Sequence, residues 1–250
     1  MRQLLPKPIQ NIIDLRNAKP EPEIKSYVIG FGHRARSGKD TAAAVIVERR
    51  RHPMYDGLPT PDVNDGIQRC DVRAYSFARA LKEEVTAAAI AAGGMQNLWN
   101  PEMELYQENG NFVTLPPWVT FEPNAPMDDP LCPLGKQRAL LQWWGTEFRR
   151  MVNPEYWVRR LAEIIAKEKP QVALLSDMRF PNEKAWVEKH GASVKVDRPG
   201  LEPLAVAHAS ELALAPLEDW EWDAVIKNDG TLEQFKEKAV KLFDTLYVAS

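Results

Sequence analysis

Cysteine is scarce in this chain of 250 residues, and Cys70 and Cys132 form no CxxC pair or Cys/His cluster. That argues against a disulfide framework or structural zinc site, and a reducing, cytoplasmic setting is expected. Long apolar runs are missing as well. No stretch is long enough to cross a membrane, and residues 1–24, rich in Pro, Lys, Asn and Glu, lack the apolar centre of a signal peptide; a polar N-terminal tail is expected there. Nor is one sign of charge in large excess: 32 Lys and Arg against 35 Asp and Glu leave a formal net charge of −3. No general basic field results, so neither a nucleic acid nor a membrane is the expected partner, and the basic residues that matter must act locally. There is no internal repeat, no low-complexity tract, and no Ser-His-Asp or metal-ligand spacing.

What the chain does have is an apolar run, Val28-Ile29-Gly30-Phe31, that breaks into a small basic loop and then enters an Ala-rich helical stretch, Thr41–Arg51. The loop ends in Arg36-Ser37-Gly38-Lys39-Asp40-Thr41. In a strand–loop–helix of this kind the backbone N–H groups of Ser37 through Thr41 surround phosphate oxygens. The helix N-terminus adds positive potential, and Lys39 reaches the β/γ-phosphates of a nucleotide. ATP binding is therefore expected at Arg36, Ser37, Gly38, Lys39, Asp40 and Thr41. Two positions depart from G-x-x-x-x-G-K-[ST]: His33 stands where the first Gly belongs, and Asp40 stands where a hydroxyl would meet Mg²⁺, with Thr41 one residue late. If His33 is to be tolerated, the expectation is a negative φ there, with Gly32 absorbing the tight turn, and an imidazole pKa raised by nearby phosphates. The plainer alternative is a glycine turn with a solvated lysine.

Strand-like segments recur at Tyr27–Phe31, Arg69–Tyr75, Val172–Ser176, Ser193–Asp197 and Ala224–Lys227, separated by helical patterns. This alternation predicts an α/β fold: three layers, α/β/α, around a parallel five-stranded sheet. Helices are predicted over Ser76–Ala92, over Lys136–Val152 and from Asn153 to before Pro170. In the second, Leu140, Leu141, Trp144 and Phe148 form an apolar face, with Arg138, Gln142, Thr146 and Arg149 on a polar one. His52–Gly66 reads as an exposed loop. Trp99–Pro133 is proline-studded and aperiodic, so a lid or acceptor-binding insertion within 99–136 is expected in an otherwise single domain, 25–250.

A second informative stretch is the buried-type strand Val172–Leu175 leading into Asp177-Met178-Arg179-Phe180-Pro181-Asn182-Glu183. Ligands of open α/β sheets sit at the carboxyl ends of the strands, which would put Asp177 and Arg179 beside the phosphate loop. Asp177 suits a Mg²⁺ shell or the ordering of an acceptor, and Arg179 suits charge on a migrating phosphoryl group. A surface Asp–Arg pair is the simpler reading. Glu183 has its own, as a favourable charge at a helix N-terminus. His208 and Glu211 read as the start of a further helix.

Taken in order, Ile29-Gly30-Phe31, Ala35–Thr41, Ser76-Phe77-Ala78, Leu81–Val85, Leu140–Arg150, Asp177–Glu183, Arg198-Pro199 and Asp223–Glu233 resemble the bacteriophage deoxynucleoside monophosphate kinases over most of residues 27–235. In that family Ser-Gly-Lys-Asp-Thr is a usual loop ending, so Asp40 ceases to be an anomaly while His33 remains one. The resemblance implies a P-loop nucleoside monophosphate kinase fold, ATP as donor, Mg²⁺, and a deoxynucleoside monophosphate as acceptor. It implies that Trp157, Asp177, Arg179 and Glu183 line the acceptor pocket.

An acceptor phosphate is already anionic near neutral pH, so positioning and charge neutralisation suffice and no general base is required. The expected catalytic set is Lys39, Asp177 and Arg179. Lys82, Arg138, Gln142 and Arg149 join Trp157, Asp177, Arg179 and Glu183 as substrate-binding candidates, and Asp40, Thr41 and Asp177 are the candidates around the metal, directly or through water. The expected activity is ATP-dependent phosphorylation of deoxynucleoside monophosphates to diphosphates. Another small-molecule P-loop kinase, of the dephospho-coenzyme A or phosphomevalonate type, and a non-catalytic nucleotide-binding module are the alternatives. A homodimer is compatible with the sequence.

Overall fold

Five short apolar runs become the strands of one parallel sheet: β1 (Tyr27–Gly32), β2 (Val72–Tyr75), β5 (Val172–Leu175), β6 (Gly191–Asp197) and β7 (Ala224–Lys227), in the order β2-β5-β1-β6-β7. The computed structural model describes residues 21–34, 36–51, 70–107, 109–201 and 213–248. The loop expected at 52–66, Ala35, His208, Glu211 and most of the N-terminal tail lie outside the described residues. The chain divides into two compact units, one of Glu23–Phe77 with Leu161–Ser250 and the other centred on Ala78–Arg160.

In the sheet unit β1 is central, with Ile29 opposite Leu174 of β5 and Ala192 of β6. Side chains alternate across it. Ile29 and Phe31 enter a core with Ala42 and Ile46 of α1 (Lys39–Arg50) and Phe235 and Phe243 of α6 (Leu232–Val248). Arg50 ties these two helices by a bidentate bond to Asp244, at 2.7 and 2.6 Å. The opposite face of β1 carries Gly30 and Gly32, where α5 (Pro181–His190) packs. A Cβ on Gly30 would stand 2.8 Å from Val187, and one on Gly32 2.5 Å from the Trp222 ring. Glycine is required there by close approach. With helices on both faces, the strands can be apolar throughout, as Val172–Leu175 is.

The second unit holds most of α2 (Phe77–Ala91), a 3₁₀ turn at Met95–Trp99, a two-stranded antiparallel ladder of β3 (Leu105–Tyr106) and β4 (Phe112–Val113), and α3 (Arg138–Trp143). The helix α4 (Tyr156–Glu168) begins in it. The stretch expected to be irregular therefore contains a small hairpin, and it is tied down locally. Trp99 Nε1 donates to Val119 O at 2.7 Å, and Gln137 exchanges two hydrogen bonds with the backbone of Glu122.

The predicted continuous helix 136–152 is a correction. After Trp143 the chain runs as a π-helix, Trp144–Arg150, in which Met151 N–H donates to Thr146 O five residues back. Each such turn holds one residue more than an α-turn, so a 3.6-residue wheel misplaces everything after it. Arg149, expected on the polar face, is instead 2% exposed. It donates from Nε to Glu84 Oε1 at 2.8 Å and stacks between Phe148 and Tyr156, 4.2 and 4.8 Å from their ring centroids. Glu84 also accepts from Trp144 Nε1 at 3.0 Å and from Tyr156 Oη at 2.6 Å. Such a buried charge pair holds together only because its polar atoms are bonded on several sides.

Candidate active site

The loop after β1 is built by backbone conformations that the sequence shows only in part. Gly38, the N-cap of α1, has φ 112°, and a Cβ there would meet Asn228 Nδ2 at 2.8 Å and the Phe235 ring at 3.0 Å. Asn228, just past β7, donates to Ser37 O at 2.8 Å, and Arg198 Nη1 donates to Arg36 O at 3.3 Å, so β6 and β7 both brace the loop. Ser37 is fully buried, and its Oγ has no hydrogen-bond partner among the described residues. Lys39 folds over the loop, its Nζ donating to His33 O at 3.3 Å and to Arg34 O. A lysine ammonium held on carbonyls at a helix N-terminus is an anion site in waiting.

Beside the loop lies a cleft of about 340 Å³, lined by Arg36, Gly38, Lys39, Asp40 and Thr41, by Arg198, and by Asn228, Gly230, Leu232 and Phe235. Three cationic side chains against one carboxylate suit a polyphosphate. Leu232, 58% exposed, adds apolar surface, with the buried Phe235 behind it. The sequence reading does not single out Arg198, Asn228 and Leu232 as site residues. They come from the far end of the chain, and only sheet order brings them beside residues 36–41; the signal available was their place in the ordered motifs.

His33 departs from expectation in its backbone conformation. It takes φ 90° itself, while Gly32 completes β1 and gives its space to Trp222. Its imidazole pKa is lowered, first by burial and then by the neighbouring Lys195 and Arg34 charges, which outweigh Asp197.

At the end of β5, Asp177 Oδ1 accepts the Phe77 N–H at 2.8 Å and so caps the first turn of α2. Arg179 is exposed. Glu183, 1% exposed, accepts the backbone N–H groups of Arg179 at 2.8 Å and Phe180 at 3.1 Å. It thereby sets the turn that presents Arg179. Lys39, Asp177, Arg179 and Glu183 thus all belong to the sheet unit.

Lys82, Arg138, Gln142, Arg149 and Trp157 belong to the other unit. Arg138 and Gln142 are exposed one turn apart on α3. Lys82 is paired with Asp129 at 2.8 Å. Trp157 is buried, donating its indole N–H to Gly145 O at 2.8 Å and meeting Tyr156 edge-on at 4.8 Å.

A parallel α/β sheet with a lysine-bearing glycine loop at the carboxyl end of its central strand is consistent with a P-loop kinase fold. The family model for deoxynucleotide monophosphate kinase matches residues 136–239, a span that includes Arg138, Gln142, Asp177, Arg179 and Asn228. The deoxynucleoside-5'-monophosphate kinase of Escherichia phage T5 is 28% identical over 188 residues, 63% of this chain and 70% of that protein. These matches support a phage-type deoxynucleotide monophosphate kinase, a transferase of nucleotide metabolism. No described helix is long and apolar enough to cross a membrane.

Proposed function

We propose that this enzyme transfers the γ-phosphoryl group of ATP to a deoxynucleoside monophosphate, forming the diphosphate, and that residues 25–250 act as one catalytic domain in a cytoplasmic setting. The observation that carries the donor half is the cleft at the glycine loop, cationic from Arg36, Lys39 and Arg198 and apolar at Leu232 and Phe235. The triphosphate lies along residues 36–41, with the base toward Leu232. The acceptor half rests on the family match and on the relative's name.

Catalysis on this reading is positioning and charge neutralisation. Lys39 leaves the carbonyls of His33 and Arg34 for the phosphates, and Arg179, held by Glu183, offsets charge on the migrating group. Asp177 orders the acceptor side while capping α2. Mg²⁺ would be held through one or two carboxylates together with waters and substrate phosphates. The Asp40 carboxylate and the Thr41 hydroxyl, both lining the cleft, fit that donor set, with Asp177 as a partner through water; the ion would neutralise phosphate charge.

The test is a coupled assay with ATP and a panel of deoxynucleoside monophosphates, with dephospho-coenzyme A and phosphomevalonate as competing acceptors. Turnover of at least one deoxynucleotide is expected. Lys39→Ala should abolish it while leaving the melting profile unchanged, because Lys39 points into the loop and away from the core. Full activity in that variant would overturn the donor assignment.

A further inference from the structure

Lys82, a candidate for the acceptor phosphate, already holds an anion. Its Nζ lies 2.8 Å from Asp129 Oδ2, and Lys136 Nζ lies 3.9 Å from the same oxygen. The other oxygen, Oδ1, accepts the Leu131 N–H at 3.0 Å. The pair is sheltered, with the Lys82 and Asp129 side chains 18% and 16% exposed. One turn further along α2, Thr86 Oγ1 donates to Leu131 O at 3.2 Å, so this short stretch is strapped along the helix by both residues. The Lys82 ammonium and the backbone of 129–131 draw the Asp129 carboxyl below the usual carboxylate range, which keeps it charged at neutral pH.

We infer that Asp129 is an internal stand-in for the acceptor phosphate: it occupies Lys82 until a deoxynucleoside monophosphate arrives, and it sets the acceptor affinity by competing for that lysine. The inference rests on the kinase reading above. A carboxylate bracketed by two ammonium groups marks a place that favours an anion, and a 5′-phosphate carries more charge and more acceptor oxygens than the carboxylate it displaces. Binding at Lys82 then leaves Asp129 beside a dianion, and that repulsion weakens the complex. Asp129 is a positioning residue that acts through Lys82, and it lies in the segment 99–136 where acceptor contacts were expected.

The substitution that isolates the charge is Asp129→Asn, which keeps an oxygen for the Leu131 N–H. Asp129→Ser is the second variant, since a hydroxyl supports the same turn. Calorimetric titration with each of the four deoxynucleoside 5′-monophosphates should show binding tightened by about tenfold in Asp129→Asn. Titration with the parent deoxynucleosides, which lack phosphate, should show no change. The KM for ATP should stay as in the wild type, and the gain should vanish when Lys82→Ala is added.

Unchanged or weaker monophosphate binding in both Asp129 variants, with normal melting, would overturn the inference; Asp129 would then be only a tether. Equal tightening for nucleosides and nucleotides would overturn it as well. Failure of the wild type to phosphorylate any monophosphate would instead sink the kinase reading, which the panel assay decides separately.

Discussion

His33 occupies a left-handed conformation, φ 90°, that glycine adopts without cost, yet it also lends its carbonyl to Lys39. Because its folded pKa lies below the ordinary value, the unfolded chain takes up the proton first as pH falls. The contribution of the neutral imidazole to stability is therefore present above about pH 6.5 and is lost as pH falls through the lowered folded value. His33→Gly should flatten that acid-side loss and, at neutral pH, shift stability by no more than about 1 kcal/mol, since relief of the positive φ opposes the added freedom of the unfolded chain. Urea midpoints from pH 5 to 8 measure this, and identical acid slopes in the two proteins would contradict it. Arg179 makes a different demand. Its turn is fixed by Glu183 while its side chain stays exposed, so Arg179→Ala should spare the fold and lower kcat on the order of 10²-fold with little change in the KM for ATP. A pure KM effect would move it to ground-state binding.

The π-helical stretch 144–150 decides the fate of an arginine. A period of 3.6 residues sends Arg149 to the polar face; the wider turn rotates it inward onto Glu84, Phe148 and Tyr156. Truncation to Ala would remove the guanidinium from a buried carboxylate, so Arg149→Ala should cost about 3–5 kcal/mol, read as a fall in the denaturation midpoint. If stability were unchanged and only acceptor KM rose, the arginine would belong to the pocket. The segment 99–136 presents the complementary case. Aperiodic sequence suggests a lid or acceptor-binding insertion; Trp99 bonds within it, and Gln137, Thr86 and Lys82 bond to it. Hydrogen exchange with and without a bisubstrate analogue should show added protection within 99–136 when nucleotides are bound. Equal exchange would make the segment a static insertion.

For the molecule as a whole, the order of strands and helices along the chain was open to reading from the sequence alone. The alternation of apolar runs with helical periods determines a parallel α/β sheet, because strands covered on both faces must be apolar throughout and their crossovers must be helical. The run from Val28 to Thr41 likewise reads as a strand, a glycine turn and a helix start, since an apolar run, a glycine and a helix entry act locally. Contacts between residues far apart in sequence were decided by folding. Arg198, Asn228 and Leu232 reach the loop because β6 lies beside β1 and β7 beside β6 in the sheet, and sheet order is a tertiary fact. Arg149 turned inward because packing of Trp144, Phe148 and Tyr156 around Glu84 outweighs the regular α-helical period. Burial, with the Lys195 and Arg34 charges, lowers the His33 pKa, and no spacing reveals which groups come near it. Local chemistry is written in neighbouring residues, whereas burial, pKa and pairing depend on which surfaces meet.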